Sequence, residues 1–175
     1  MARAGLVVLP LLALSACIND GQTGPITASA QYLDTVRQGN ARLTCVTSSC
    51  AQTWASKQAE IANYVNQSRW AELSVVVASA NYPSDLSYFY LGRAADGLGG
   101  SRGAEQYFSL ARGELRGPRS CTQSGLCRDR NISADIDRES AAARRRVTAA
   151  NRPVQRPAAV VPAAADQPAD YEQIK

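Results

Sequence analysis

Histidine is absent from the 175 residues, and that absence removes much of the usual catalytic machinery. Serine or cysteine catalysis through a histidine base, most catalytic zinc sites and histidine pH switches all need an imidazole. A C-x-x-C pair is absent too. The later cysteines are spaced C-x4-C (Cys45, Cys50) and C-x5-C (Cys121, Cys127), so thioredoxin-like chemistry lacks its motif. No apolar run reaches the roughly 20 residues that a membrane-spanning helix needs. No stretch of useful length alternates with period two, which argues against a sheet. Carboxylates are present but form no constellation: Asp135 and Asp137 stand two apart on a polar stretch and would diverge on a helix. These absences point away from an enzyme, and no cofactor or resident metal is expected.

The strongest positive signal lies at the N-terminus. Arg3 precedes an apolar stretch, Gly5 to Ala13, which ends in Leu14-Ser15-Ala16-Cys17. The stretch is only about 9–10 residues, the length of a signal-peptide core rather than a bilayer span. Small residues leading directly into a cysteine resemble the lipobox of bacterial lipoproteins. That resemblance implies cleavage before Cys17, a diacylglycerol on its thiol and an acyl chain such as palmitate on the new amino group. Residues 1–16 would then be a signal peptide and 17–25 a polar tether. Ile18, rather than aspartate, after the lipid cysteine resembles the pattern of lipoproteins sent to the outer membrane, facing the periplasm. Three acyl chains exceed the two signals needed for stable anchoring.

Four cysteines remain after Cys17. An even number in an exported chain reads as two disulfides. Local pairing, the preferred reading, joins Cys45 to Cys50 and Cys121 to Cys127; crossed pairing would staple the two ends of the helical region together. Zinc held by thiolates is the sharper alternative, but the spacings and export both count against it.

The formal net charge is +4, and nearly all of the cation is arginine. It gathers from Arg112 through Arg156 and is densest at Arg144-Arg145-Arg146. In an exported chain this argues for anionic lipid, an acidic partner or the cell wall, and not for nucleic acid.

Apolar spacing predicts an all-α fold. Residues 26–50 hold a short helix, Ile26 to Val36, with Tyr32, Leu33 and Val36 as its stripe, and then a cysteine loop. From 51 to 118 four helices follow. The first, Gln52 to Asn66, has Trp54, Ile61, Ala62 and Val65 on one face. The second, Arg69 to Ala80, repeats Trp70, Leu73, Val77 and Ala80, and Val75-Val76-Val77 is kept helical despite its β-branched side chains. Asn81-Tyr82-Pro83 breaks it. Ser84 or Asp85 caps the third, where Tyr88, Leu91, Gly92 and Ala95 share a face. Gly97, Gly99 and Gly100 end that helix, and Ser101 caps the fourth, lined by Ala104, Tyr107, Phe108, Ala111 and Leu115. Residues 119–151 read as a second cysteine loop and a weakly amphipathic charged helix with Ile132, Ile136 and Ala143. Residues 152–175, rich in alanine and interrupted by Pro153, Pro157, Pro162 and Pro168, read as a disordered tail.

Asp85 to Pro118 resembles a tetratricopeptide repeat, a helix-turn-helix unit of about 34 residues. Leu91, Gly92, Ala104, Phe108 and Ala111 fall at its motif positions. Tyr88, Ala95 and Arg116 depart from the usual Trp, Tyr and Pro. A degenerate earlier unit begins at Ala51, with Trp54 in register but Trp70 where alanine is usual. With the lipobox and cysteine pairs, the chain resembles small proteobacterial lipoproteins with tetratricopeptide-like repeats. The resemblance implies a short stack of hairpins that binds protein segments on the face formed by the first helix of each unit. By motif position Phe89, Arg93 and Asp96 would line that groove, with Ala55, Ala59 and Asn63 from the earlier unit.

Two functions are thus expected in competition. One is a lipid-anchored scaffold or assembly factor with an envelope protein partner. The other is a structural protein whose basic tail reaches peptidoglycan; its terminal Lys175 has a parallel in the small murein lipoprotein, which joins the wall through a C-terminal lysine.

Overall fold

The computed structural model describes residues 28–152. Among them are eight helices and no strand: α1 (Ala30–Arg37), α2 (Ser48–Ser56), α3 (Gln58–Asn66), α4 (Trp70–Ala80), α5 (Asp85–Gly97), α6 (Ser101–Glu114), α7 (Cys121–Ser124) and α8 (Ile132–Ala150). The fold is an all-α bundle, as the apolar spacing predicts.

The boundaries follow from local chemistry. Ser29 caps α1 by accepting from Tyr32 N, so this helix begins at Ala30, later than Ile26. The predicted helix from Gln52 to Asn66 is two helices. Thr47 caps the first of them and starts it at Ser48. The chain then kinks at Lys57, whose N–H reaches both Thr53 O and Trp54 O. The Gln58 side chain donates to Trp54 O at 3.0 Å, competing for a carbonyl that the helix ladder would use. Val75-Val76-Val77 is helical within α4.

Asn81 ends α4 in the left-handed region (φ 51°). It also ties down the chain before α2: its Oδ1 accepts from Thr44 N at 2.8 Å and its carbonyl from Cys45 N at 2.9 Å. Ser84 and Ser87 then form a reciprocal capping box at the start of α5. Ser101 does not cap α6. Gly100 occupies the cap position, and the Ser101 hydroxyl instead donates back to Asp96 Oδ1.

The core sits between α4, α5 and α6, with α1 and α8 against it. Trp54, Ile61, Leu73, Val77, Phe89, Leu91, Tyr107 and Phe108 are almost wholly buried. A side chain at Gly92 would run into the Phe108 ring, so this glycine sets how closely α5 and α6 approach. Gly103 does the same for α6 against the Arg37 carbonyl and Gly39 at the end of α1.

The segment from Gln38 to Cys45 lies across α5 and α6. Its buried Ala41 N–H donates to Tyr107 Oη at 2.9 Å, and Tyr88 Oη donates to Leu43 O. Tyr32 Oη donates to Ser74 O at 2.8 Å, joining α1 to α4.

The charged helix near the C-terminus is more substantial than its sequence pattern suggests. It runs for 19 residues and buries Ile132, Ile136, Ser140 and Ala143. Contacts Arg112–Asp137, Glu105–Arg144 and Arg102–Asn151 show α8 antiparallel to α6. Contacts Arg93–Glu139 and Asp96–Arg146 show it parallel to α5.

Candidate functional site

The three side chains expected to line a groove share one side of α5, but α8 and the loop before it engage all three. Phe89, expected as an apolar contact for a partner, is fully buried. It packs at an angle on Phe108 (ring centroids 6.0 Å apart) and edge-on against Tyr90, and the Arg130 guanidinium lies 5.6 Å from its centroid. That guanidinium also donates to Tyr90 Oη at 3.0 Å. Arg93 is half-buried, faces Glu139 at 4.0 Å and stands over the Trp70 ring at 5.6 Å. Asp96 accepts from Arg146 and from Ser101. Ala55, Ala59 and Asn63 are exposed on α2 and α3. Ala62, expected on the apolar face, is exposed as well.

An open concavity lies elsewhere. The faces of α3 and α4 leave a shallow trough of about 290 Å3, with Tyr64, Val75 and Val76 on its apolar side and Lys57, Glu60 and Glu72 on its rim. The rim charges are internally matched. Lys57 bridges Glu60 at 2.8 Å, and Arg69 bridges Glu72 at 2.8 Å. Lys57 beside Glu60 holds that carboxyl below the usual range, as Arg69 does for Glu72.

Both cysteine pairs close locally. Cys45 is bonded to Cys50 and Cys121 to Cys127, at sequence separations of 5 and 6. The first bridge is half-buried beside α2. The second is deep: Cys121 is 1% exposed and Cys127 7%. Ser120 caps α7, and Gly125 (φ 72°) turns the chain back to complete the loop.

Against this second bridge lies Asp85, the first residue of α5, with no exposed surface. One carboxyl oxygen of Asp85 and the two sulfurs lie within 4.8 Å of one another. Asp85 Oδ1 accepts from Leu86 N at 2.6 Å and from Cys121 N at 2.8 Å, which fastens the cysteine loop to the head of α5. Asp85 Oδ2 is different: it is the one buried side-chain oxygen or nitrogen among the described residues without a hydrogen-bond partner. Leaving a buried acceptor unmet costs about 1–3 kcal/mol. Burial pushes the Asp85 carboxyl above the usual carboxylate range. The two N–H donors pull it back, and Glu114 on α6 adds to the rise.

A carboxylate and two cysteines make a donor set suited to a thiophilic metal. Here the sulfurs are bonded to each other and neither is a thiolate. The chemistry the arrangement offers is that of a buried acid beside a disulfide. Sequence reasoning placed Asp85 at a helix cap and Cys121 in a loop. It had no means of joining them across 36 residues, because an aspartate directly after a capping serine is an ordinary helix start.

Cys17, the expected lipidation residue, lies outside the described residues, as do the signal peptide, the tether and the tail beyond Arg152. Compared with protein-family models, curated proteins and solved structures, the chain has no match.

Proposed function

We propose that the chain is a lipid-anchored helical interaction protein that faces the periplasm from the outer membrane and holds a segment of another envelope protein. The anchor rests on Leu14-Ser15-Ala16-Cys17. Export is supported by the two disulfides, which persist in oxidising compartments.

The helices support a tetratricopeptide-like reading in which α5 and α6 form one unit, with Gly92, Ala104, Phe108 and Ala111 at its close-approach positions. Antiparallel to α6 and parallel to α5, α8 takes the place where a following unit would begin.

The observation that carries the docking reading is the trough between α3 and α4. The face of α5 is engaged by α8, whereas among the described residues this end of the bundle, bounded also by Ala28, leaves an apolar strip between charged rims. Such a strip suits an amphipathic segment whose apolar residues meet Tyr64, Val75 and Val76 and whose charges meet Lys57 or Glu72.

A photo-crosslinking residue in place of Tyr64, introduced in cells, should yield one discrete protein adduct that Val75→Asp abolishes. A ladder of abundant envelope proteins, unchanged by Val75→Asp, would remove the docking reading. Separately, Cys17→Ser should abolish labelling by a palmitate analogue and release the protein from the membrane fraction. Retention of the label would remove the anchor assignment.

A further inference from the structure

Among the described residues Asp85 stands out: its Oδ2 is buried without a partner, and an oxygen of the same carboxyl lies within 4.8 Å of two bonded sulfurs. We propose that Asp85 is the proton donor and acceptor for opening and closing the Cys121–Cys127 bond, which makes this pair a redox-responsive site for a dithiol reductant.

Three observations converge on it. The carboxyl oxygen and both sulfurs lie within 4.8 Å. Oδ1 is already occupied by two backbone N–H groups, which fix the carboxyl's orientation and leave Oδ2 free. The dithiol form would present S–H donors beside a carboxyl that has one oxygen without a partner. Burial also keeps the proton on Asp85 to higher pH than on an ordinary carboxyl. Among the described residues the charged group acting on it is Glu114 of α6, itself bridged to Arg119.

The exchange balances as follows. A thiolate of the external dithiol attacks Sγ of Cys127, the more exposed of the two residues. The S–S bond breaks, its electron pair leaves on Cys121 Sγ, and that sulfur takes the proton from Asp85. The reductant's second thiol, deprotonated by solvent, attacks the reductant sulfur of the mixed disulfide and releases Cys127, which takes a proton from water. Asp85 regains its proton from solvent. Two electrons and two protons have passed from the dithiol, now a disulfide, to Cys121 and Cys127, now thiols. Re-oxidation runs the steps in reverse, with Asp85 accepting the Cys121 proton. Among the described residues Cys45–Cys50 has no such acid beside it, and it serves as the internal reference.

The test is reduction of the oxidised full chain by dithiothreitol between pH 5 and 9, with each cysteine pair followed by alkylation and mass spectrometry. Asp85→Asn retains an oxygen for Leu86 N and Cys121 N but has no proton to give. It should slow opening of Cys121–Cys127 by about 100-fold below neutral pH, the lower range for a positioned proton donor, and leave Cys45–Cys50 unchanged. A merely structural role for Asp85 would instead loosen the loop and speed opening at every pH, which would overturn the proposal. The unaltered protein gives a second measure that does not depend on the variant. Its rate, corrected for the reductant's thiolate fraction, should fall as pH rises through the ionisation of Asp85. A flat corrected profile would also overturn the assignment.

Discussion

Tyr107 illustrates how single side chains hold this molecule together from a distance. Its ring is buried between α5 and α6, while its hydroxyl accepts the Ala41 N–H, 66 residues earlier. Burial pushes this phenol up to about 12, and Tyr32 and Tyr88 are raised for the same reason. A folded-state value above the unfolded one, about 10, means that the native state keeps the proton longer. Stability from these tyrosines is therefore full below about pH 10 and is lost as pH rises towards 12. Denaturant midpoints measured from pH 9 to 12 should fall across that window. Tyr107→Phe should make the fall shallower, at a cost of about 1–3 kcal/mol at neutral pH for the Ala41 N–H left without an acceptor. Apolar spacing had marked Tyr107 as a core residue and was right about its ring. The hydroxyl's partner was out of reach, because nothing in a local pattern says which distant backbone group will arrive beside it. The same limit hid the meeting of Asp85 with Cys121.

At the scale of elements, α4, α5 and α6 were legible because strong punctuation bounds them. Asn81-Tyr82-Pro83 and the Gly99-Gly100 turn leave little freedom in where those helices stop. The kink at Lys57 was not legible, since it depends on a glutamine side chain taking one carbonyl. Underestimation of α8 has another cause. Its buried stripe has only two isoleucines, Ile132 and Ile136, followed by two small residues, Ser140 and Ala143, and three arginines follow it. Small residues carry a weak hydrophobic signal yet allow close packing, and arginines that pair across to Glu105 and Asp96 read in sequence as a solvated tail. Ile136, with no exposed surface, should therefore anchor this helix. Ile136→Ala is expected to cost about 2–5 kcal/mol in chemical denaturation. It should also raise hydrogen exchange along α8, and across α6 beneath it, more than in α3. An effect confined to a few tenths of a kcal/mol would mean that α8 adheres chiefly by its ion pairs.

Over the whole molecule, two short covalent loops brace a core that is otherwise held by packing. Each loop closes over so few residues that the chain entropy removed from the unfolded state is modest, about 2 kcal/mol per bridge. Cys45→Ser with Cys50→Ser should lower stability by that amount in a urea titration and leave the helical circular dichroism intact. Loss of the fold would show instead that the segment strapped over α5 and α6 is essential to the core. The local pairing has a consequence for how the chain matures. Of the four cysteines after Cys17 the first joins the second and the third joins the fourth, so, with Cys17 taken by lipid as proposed, an oxidant that links neighbouring thiols in order of synthesis makes the native bonds and no others. Maturation then needs an electron acceptor but no reshuffling enzyme, and an error would require a cysteine to pass over its nearest neighbour and wait for one some seventy residues away.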